Sequence, residues 1–214
     1  MRKKILVFTG SRADFGILRP LISRIKRDKL LRLTLFAGPH HYQKKMGSTD
    51  QEIKKNKFKI DYFQKYLFKN LNEKEILNYC GISLSTFSKT LINDKPDLIV
   101  LLGDRYEVFT FCIVAFFLNI PVAHIHGGEI TSGAIDDALR HSITKMSNIH
   151  FVCHKDYKKR VIQLGENPRT VFNFGSLALE TIKSKRLIGK EILFKKYGIP
   201  NDKKIILITF HPET

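Results

Sequence analysis

The chain has 214 residues, 43% hydrophobic and 27% charged, with 37 Lys and Arg against 20 Asp and Glu. That length and balance can bury a real core and exclude wholesale disorder. Three cysteines without a CxxC pair argue against a disulfide framework or a thiolate zinc site, and are expected as reduced structural thiols, two of them on buried faces.

The basic excess suits polyanionic partners, either nucleic acid or phosphorylated small molecules. The lysine pairs at 3–4, 44–45, 54–55 and 158–159 are scattered, however, and no nucleic-acid-binding signature accompanies them. A solvated lysine-rich surface and no nucleic-acid partner are therefore expected.

In chain order, MRKKILVFTG is a charged entry into a strand at 5–9, with no signal-peptide cleavage site, so a cytoplasmic protein is the default. TGSRADFG follows. Gly10 and Ser11 allow a tight turn, Arg12 offers a fixed positive charge, and a helix at 16–29 begins, a combination that suits a phosphate. After a strand at 31–37 comes AGPHHYQKKMGST, a glycine-flanked loop holding His40 and His41. A strand at 59–63 and a helix at 73–91 lead to LIVLL (98–102) and then GDRYE, in which Asp104, Arg105 and Glu107 crowd the strand end. Helix capping by Asp104 is the plain structural alternative, and capping does not exclude catalysis.

The apolar run at 111–123, broken by Asn119 and Pro121, reads as a buried helix (106–118) and a buried strand (122–125), not a membrane span. AHIHGGEITSGAIDDALRH comes next. His124 is expected as a hydrogen-bonded core histidine and His126 just past the strand end, facing a cleft. Glu129 should be expelled to solvent unless it has a purpose. A helix at 134–146 puts Asp136 and Arg140 on one face; an ordinary i,i+4 ion pair, worth below about 1 kcal/mol on a surface, is the bland alternative. Strands at 150–153, 171–174 and 205–210 and helices at 157–164 and 176–185 complete the pattern.

Unbroken Val/Ile/Leu/Phe runs mark strands covered on both faces, and strict strand–helix alternation predicts an α/β, doubly wound parallel sheet. Ligands of such sheets bind beyond the carboxyl ends of the strands, so four polar loops at four such ends read as one site. A metal site on HIH and HH is not expected, since His124 and His126 should diverge. What survives is a metal-free carboxylate and histidine cluster for acid–base chemistry beside a phosphate-binding loop.

The stretches TGSRADFGILRPLI, GDRYE, PVAHIHGGEITSGAIDDALRHSITKMS, RVIQLGE and TFHPET closely resemble the hydrolysing UDP-N-acetylglucosamine 2-epimerases, in particular their sialic-acid and legionaminic-acid precursor branch. The resemblance implies a GT-B fold of two Rossmann-like domains. Residues 1–185 would form the N-terminal one; 186–214 would be a linker and the first strand of the nucleotide-binding one. It also implies the reaction: a base takes the C2 proton of a UDP-sugar as UDP leaves C1, and water adds to the resulting glycal to give the free 2-epimer. No cofactor or metal is implied; the full-length partner set is the UDP-sugar and a second copy in a homodimer. By position, Asp104 matches a catalytic aspartate, Asp136 a second acid and Arg140 its neighbour. Arg12 matches the arginine near the phosphates, His40 the histidine of the second loop, and His211 the FHP histidine.

Relatives often carry glutamate where His126 stands, which leaves the C2 base open among Asp104, His126 and Glu129. Arg105 and Glu107 are expected to bind substrate. Family members run to nearly twice this length, so an isolated 214-residue chain is expected to bind UDP-sugars weakly and turn over little. Strand 205–210 would then lack its sheet. A GT-B glycosyltransferase and a non-catalytic nucleotide-sugar-binding fragment are the alternatives.

Overall fold

The computed structural model describes residues 2–43, 48–70, 72–184, 187–202 and 204–210. Seven parallel strands form a single sheet in the order β3-β2-β1-β4-β5-β6-β7. They are β1 (Lys3–Thr9), β2 (Leu31–Ala37), β3 (Tyr62–Phe63), β4 (Leu98–Leu102), β5 (Val122–Ile125), β6 (Ile149–Val152) and β7 (Val171–Asn173). Between and after them run α1 (Arg12–Arg27), α2 (Asp50–Lys55), α3 (Glu73–Asp94), α4 (Tyr106–Phe117), α5 (Ile135–Lys145), α6 (Lys155–Gln163), α7 (Leu177–Ser184) and α8 (Lys190–Tyr197). No helix among the described residues is long and apolar enough to cross a membrane.

Side-chain alternation along the strands builds two cores, as a doubly covered sheet requires. Leu6 and Phe8 of β1 and Ile99 and Leu101 of β4 face Tyr79, Phe87 and Leu91 of α3 and Phe111 of α4. Ile5, Val7, Val100 and Leu102 face the other way, onto Phe15, Leu18 and Ile22 of α1 and Ile53 of α2. These two layers hold the strand ends, and hence the loops beyond them, in fixed register.

Several expectations shift. α1 begins four residues early because Ser11 and Asp14 close a capping box, each side chain accepting from the other's backbone amide. β3 shrinks to two residues, since only Tyr62 and Phe63 pair with β2. Residues 205–210 form no strand at all: without a neighbour to pair with among the described residues, Leu207 and Phe210 stay about nine-tenths exposed. Only Cys112 of the three thiols is fully buried; Cys80 and Cys153 are half-buried.

Candidate active site

The chain order reverses between β1 and β4, and the loops after β1, β2, β4, β5 and β6 open at the same edge of the sheet. Three connected groups of side chains stand there.

The first is built after β2 and β4. A 3-10 turn at Pro39–Tyr42 buries His40, which stacks on Phe68 with ring centroids 5.1 Å apart. Its Nε2 lies 2.6 Å from Glu107 Oε1, 3.0 Å from the Tyr106 hydroxyl and 3.1 Å from Arg105 Nη2. Arg105 in turn grips both Glu107 oxygens. Glu107 is fully buried. Burial pushes its carboxyl up, but the His40 hydrogen bond and the Arg105 charge outweigh that and hold it below the ordinary value. Burial raises the charged-form penalty on Arg105 too, yet Glu107 pulls its pKa above the usual arginine range.

The second group centres on Arg140. This side chain is 4% exposed, and its guanidinium pairs with Asp104 and, at 3.2 Å, with Asp137 Oδ1. It also donates to the Glu129 carbonyl and to Thr131 Oγ1, each at 2.8 Å. The Asp136–Arg140 pair considered from spacing does not form; Arg140 chooses Asp137, one residue nearer, and Asp104 across the sheet. Asp136 is left half-buried without a bonded cation among the described residues, and burial, then the Asp104 charge, raise its pKa.

The third group follows β5. His126 takes a left-handed backbone with φ 68°, an uncommon state for a non-glycine residue. Two residues apart on an ideal strand, His124 and His126 would share a face. The turn at His126 is what separates them. His124 stays fully buried between the Gly103 carbonyl (2.8 Å) and Thr144 Oγ1 (3.2 Å), and burial holds its pKa down to about 4. His126 instead meets Glu129, Nδ1 to Oε1 2.9 Å. Glu129 is not expelled to solvent but half-buried, because a second donor, Cys153 Sγ, reaches the same oxygen at 3.1 Å. The His126 hydrogen bond is the main reason its pKa falls below the ordinary value. Gly128 makes the loop possible: its φ is +79°, and a Cβ there would meet the Tyr157 carbonyl oxygen at 2.5 Å.

Asp104, Arg105, Glu107, Asp136 and Arg140 therefore share one electrostatic neighbourhood, with Glu129 and His126 joined to it through Arg140. Arg12 stands apart. Its exposed side chain pairs with Glu52 at 3.2 Å, and with Ser48, Thr49 and Lys55 it lines a cavity of about 330 Å³. The expected phosphate nest at α1 is partly filled, since the Gly10 and Ser11 amides already donate to Asp14 Oδ2. His211 lies outside the described residues. Cys153 was missed: a lone cysteine at the end of an apolar strand carries no signal in sequence.

A family model described as UDP-N-acetylglucosamine 2-epimerase matches residues 23–214. The GDP/UDP-N,N'-diacetylbacillosamine 2-epimerase (hydrolyzing) of Campylobacter jejuni is 42% identical over 213 residues, all of this chain and 55% of that protein. The polysialic acid biosynthesis protein P7 of Escherichia coli is 41% identical, over 99% of this chain and 54% of its own length. A crystal structure of UDP-GlcNAc 2-epimerase from Neisseria meningitidis bound to UDP-GlcNAc superposes with a TM-score of 0.75 at 21% identity, covering 92% of this chain and 51% of that one. At that identity the likeness shows the fold. The chain spans about half the length of the curated relatives it matches.

Proposed function

From the premise that the chain belongs to the UDP-N-acetylglucosamine 2-epimerase family, we propose that it supplies the acid–base half of a hydrolysing UDP-sugar 2-epimerase of GT-B architecture. The substrate is UDP-N-acetylglucosamine or its diacetylbacillosamine relative, as the names of the Campylobacter jejuni and Legionella pneumophila relatives suggest. The product is a 2-epimeric free sugar for sialic- or legionaminic-type acids.

The observation that carries this reading is the divergence of two carboxyls. Glu129 is held ionised by His126, whereas Asp136 is pushed toward its protonated form by burial and by Asp104. Paired groups tuned in opposite directions divide the roles of base and acid. Glu129, with His126 beside it, takes the C2 proton; Asp136 returns one. Asp104, paired with Arg140, orients that arginine. Arg12, His40, Arg105, Glu107 and Arg140 belong to the substrate-holding set, and His211 to the catalytic one. Residues 1–185 form the sheet domain of this arrangement and 186–214 lead into the nucleotide-binding one. α3 and α4, which leave Leu77, Ile82, Ile92, Phe116 and Phe117 exposed, offer the face for a homodimer of the complete, cytoplasmic protein.

The test is incubation of the complete gene product with either UDP-sugar in D2O, following UDP release and deuterium at C2 by NMR. Separate D104N, H126A and E129Q substitutions and the H126A/E129Q pair should show loss of C2 exchange in the pair. Intact exchange in the pair ends the proposal. Transfer to an added acceptor with no exchange would instead favour a glycosyltransferase.

A further inference from the structure

β5 and β6 run parallel, with Ile125 opposite Phe151 and the His126 amide donating to the Phe151 carbonyl at 2.9 Å. His126 and Cys153 therefore leave the sheet side by side, and the glycine turn brings Glu129 back between them. Glu129 Oε1 is 2.9 Å from His126 Nδ1 and 3.1 Å from Cys153 Sγ, and one ligand atom of each residue lies within 4.8 Å of the others. We propose that His126 Nδ1, the Glu129 carboxylate and Cys153 Sγ form a site for a borderline-soft divalent cation such as Zn2+, with a fourth position left to water.

The donor set fits that class of ion. Zinc bonds of about 2.0–2.3 Å in tetrahedral array place ligand atoms roughly 3.5 Å apart. The present hydrogen-bonded separations need to open by only about half an ångström to reach that spacing. One thiolate and one carboxylate balance the double charge, and a neutral imidazole completes the three protein ligands. Mg2+ and Ca2+ prefer sets of oxygen ligands, and a single carboxylate cannot supply one.

Capture forms Zn–S and Zn–N bonds: the thiol proton leaves to solvent, and the Nδ1 proton that Glu129 accepts is lost to solvent as Nε2 takes one up, so the imidazole stays neutral. On the function proposed above, the ion would occupy both lone pairs that serve C2, so zinc would inhibit. That consequence rests on the proposed function, whereas metal binding does not.

The test uses the purified 214-residue chain and metal alone. Zn2+ is titrated against a chromogenic chelator, and Co2+ is followed by absorption. One equivalent should bind, with a sulfur-to-cobalt charge-transfer band. C153S should abolish the band and weaken Zn2+ at least about tenfold, as should H126Q, while C80S leaves both unchanged. Circular dichroism of each variant confirms folding. Failure of the wild type to bind one equivalent, wild-type affinity in both C153S and H126Q, or displacement of Zn2+ by equimolar Mg2+ overturns the site.

Discussion

Replacing Arg140 with alanine tests whether the loops after β4 and β5 are held by one buried guanidinium. The side chain is 4% exposed and satisfies Asp104, Asp137, the Glu129 carbonyl and Thr131 at once. Removing one partner of a buried ion pair costs about 3–5 kcal/mol, because the remaining charge is stranded. Here Asp104 and Asp137 keep 23% and 33% side-chain exposure and can rehydrate, so the lower figure, about 3 kcal/mol, applies. For a chain of this size that lowers the melting temperature by about 6–12 °C. Urea and thermal denaturation at pH 7 measure it. R140K, which keeps the charge but loses the planar fork, should fall between. A double-mutant cycle with D104N should give a coupling of at least about 1 kcal/mol. A loss below about 1 kcal/mol in R140A, or additivity with D104N within about 0.5 kcal/mol, would refute the reasoning.

Three further outcomes are expected. Glu107 has a folded pKa below its unfolded value of about 4.3, so its contribution is full above that pH and drains as the pH falls toward the folded value. E107Q should be less stable than wild type at pH 7, and the gap should narrow as the pH falls below about 4.3, as urea midpoints across that range will show. His124, an imidazole whose pKa is depressed to about 4, stabilises fully above its unfolded value and loses this as pH falls from about 6.5 to 4. The loss reaches about 3 kcal/mol, and NMR titration should find that ring still neutral at pH 5. G128A should destabilise by about 3 kcal/mol or more, since the new methyl meets the Tyr157 carbonyl at 2.5 Å and φ is +79°; a melting temperature within 2 °C of wild type would count against it.

The fold was legible because its signals are local. LIVLL and ILVFT are two-sided strands by composition alone, and β2 appears with the bounds expected for it. Legibility failed where a partner decides the outcome. Residues 205–210 have strand composition and no strand beside them among the described residues. Lys59–Ile60 have the apolar spacing but not the pairing that Tyr62 and Phe63 achieve. In the site, the structure brings Asp104, Glu107, Glu129 and Arg140 to neighbouring strand ends, yet spacing could not tell which aspartate Arg140 would choose. That choice depends on Asp104, 36 residues away in sequence. Cys153 entered through the pairing of β5 with β6, a contact no one-dimensional pattern contains.

The cations deserve the same three-dimensional accounting. Arg12 is matched by Glu52, Arg105 by Glu107, and Arg140 by Asp104 and Asp137. The amides of Gly10 and Ser11 are taken by Asp14. A pyrophosphate meeting Arg12, Arg105 or Arg140 would therefore have to compete with the ion pairs they already make. The net positive charge of the chain does not alter this, for it sits on scattered surface lysines. What the strand ends do offer is Glu129, whose proton affinity His126 lowers, and Asp136, whose proton affinity burial raises. On the proposed function, that contrast serves the two proton transfers at C2.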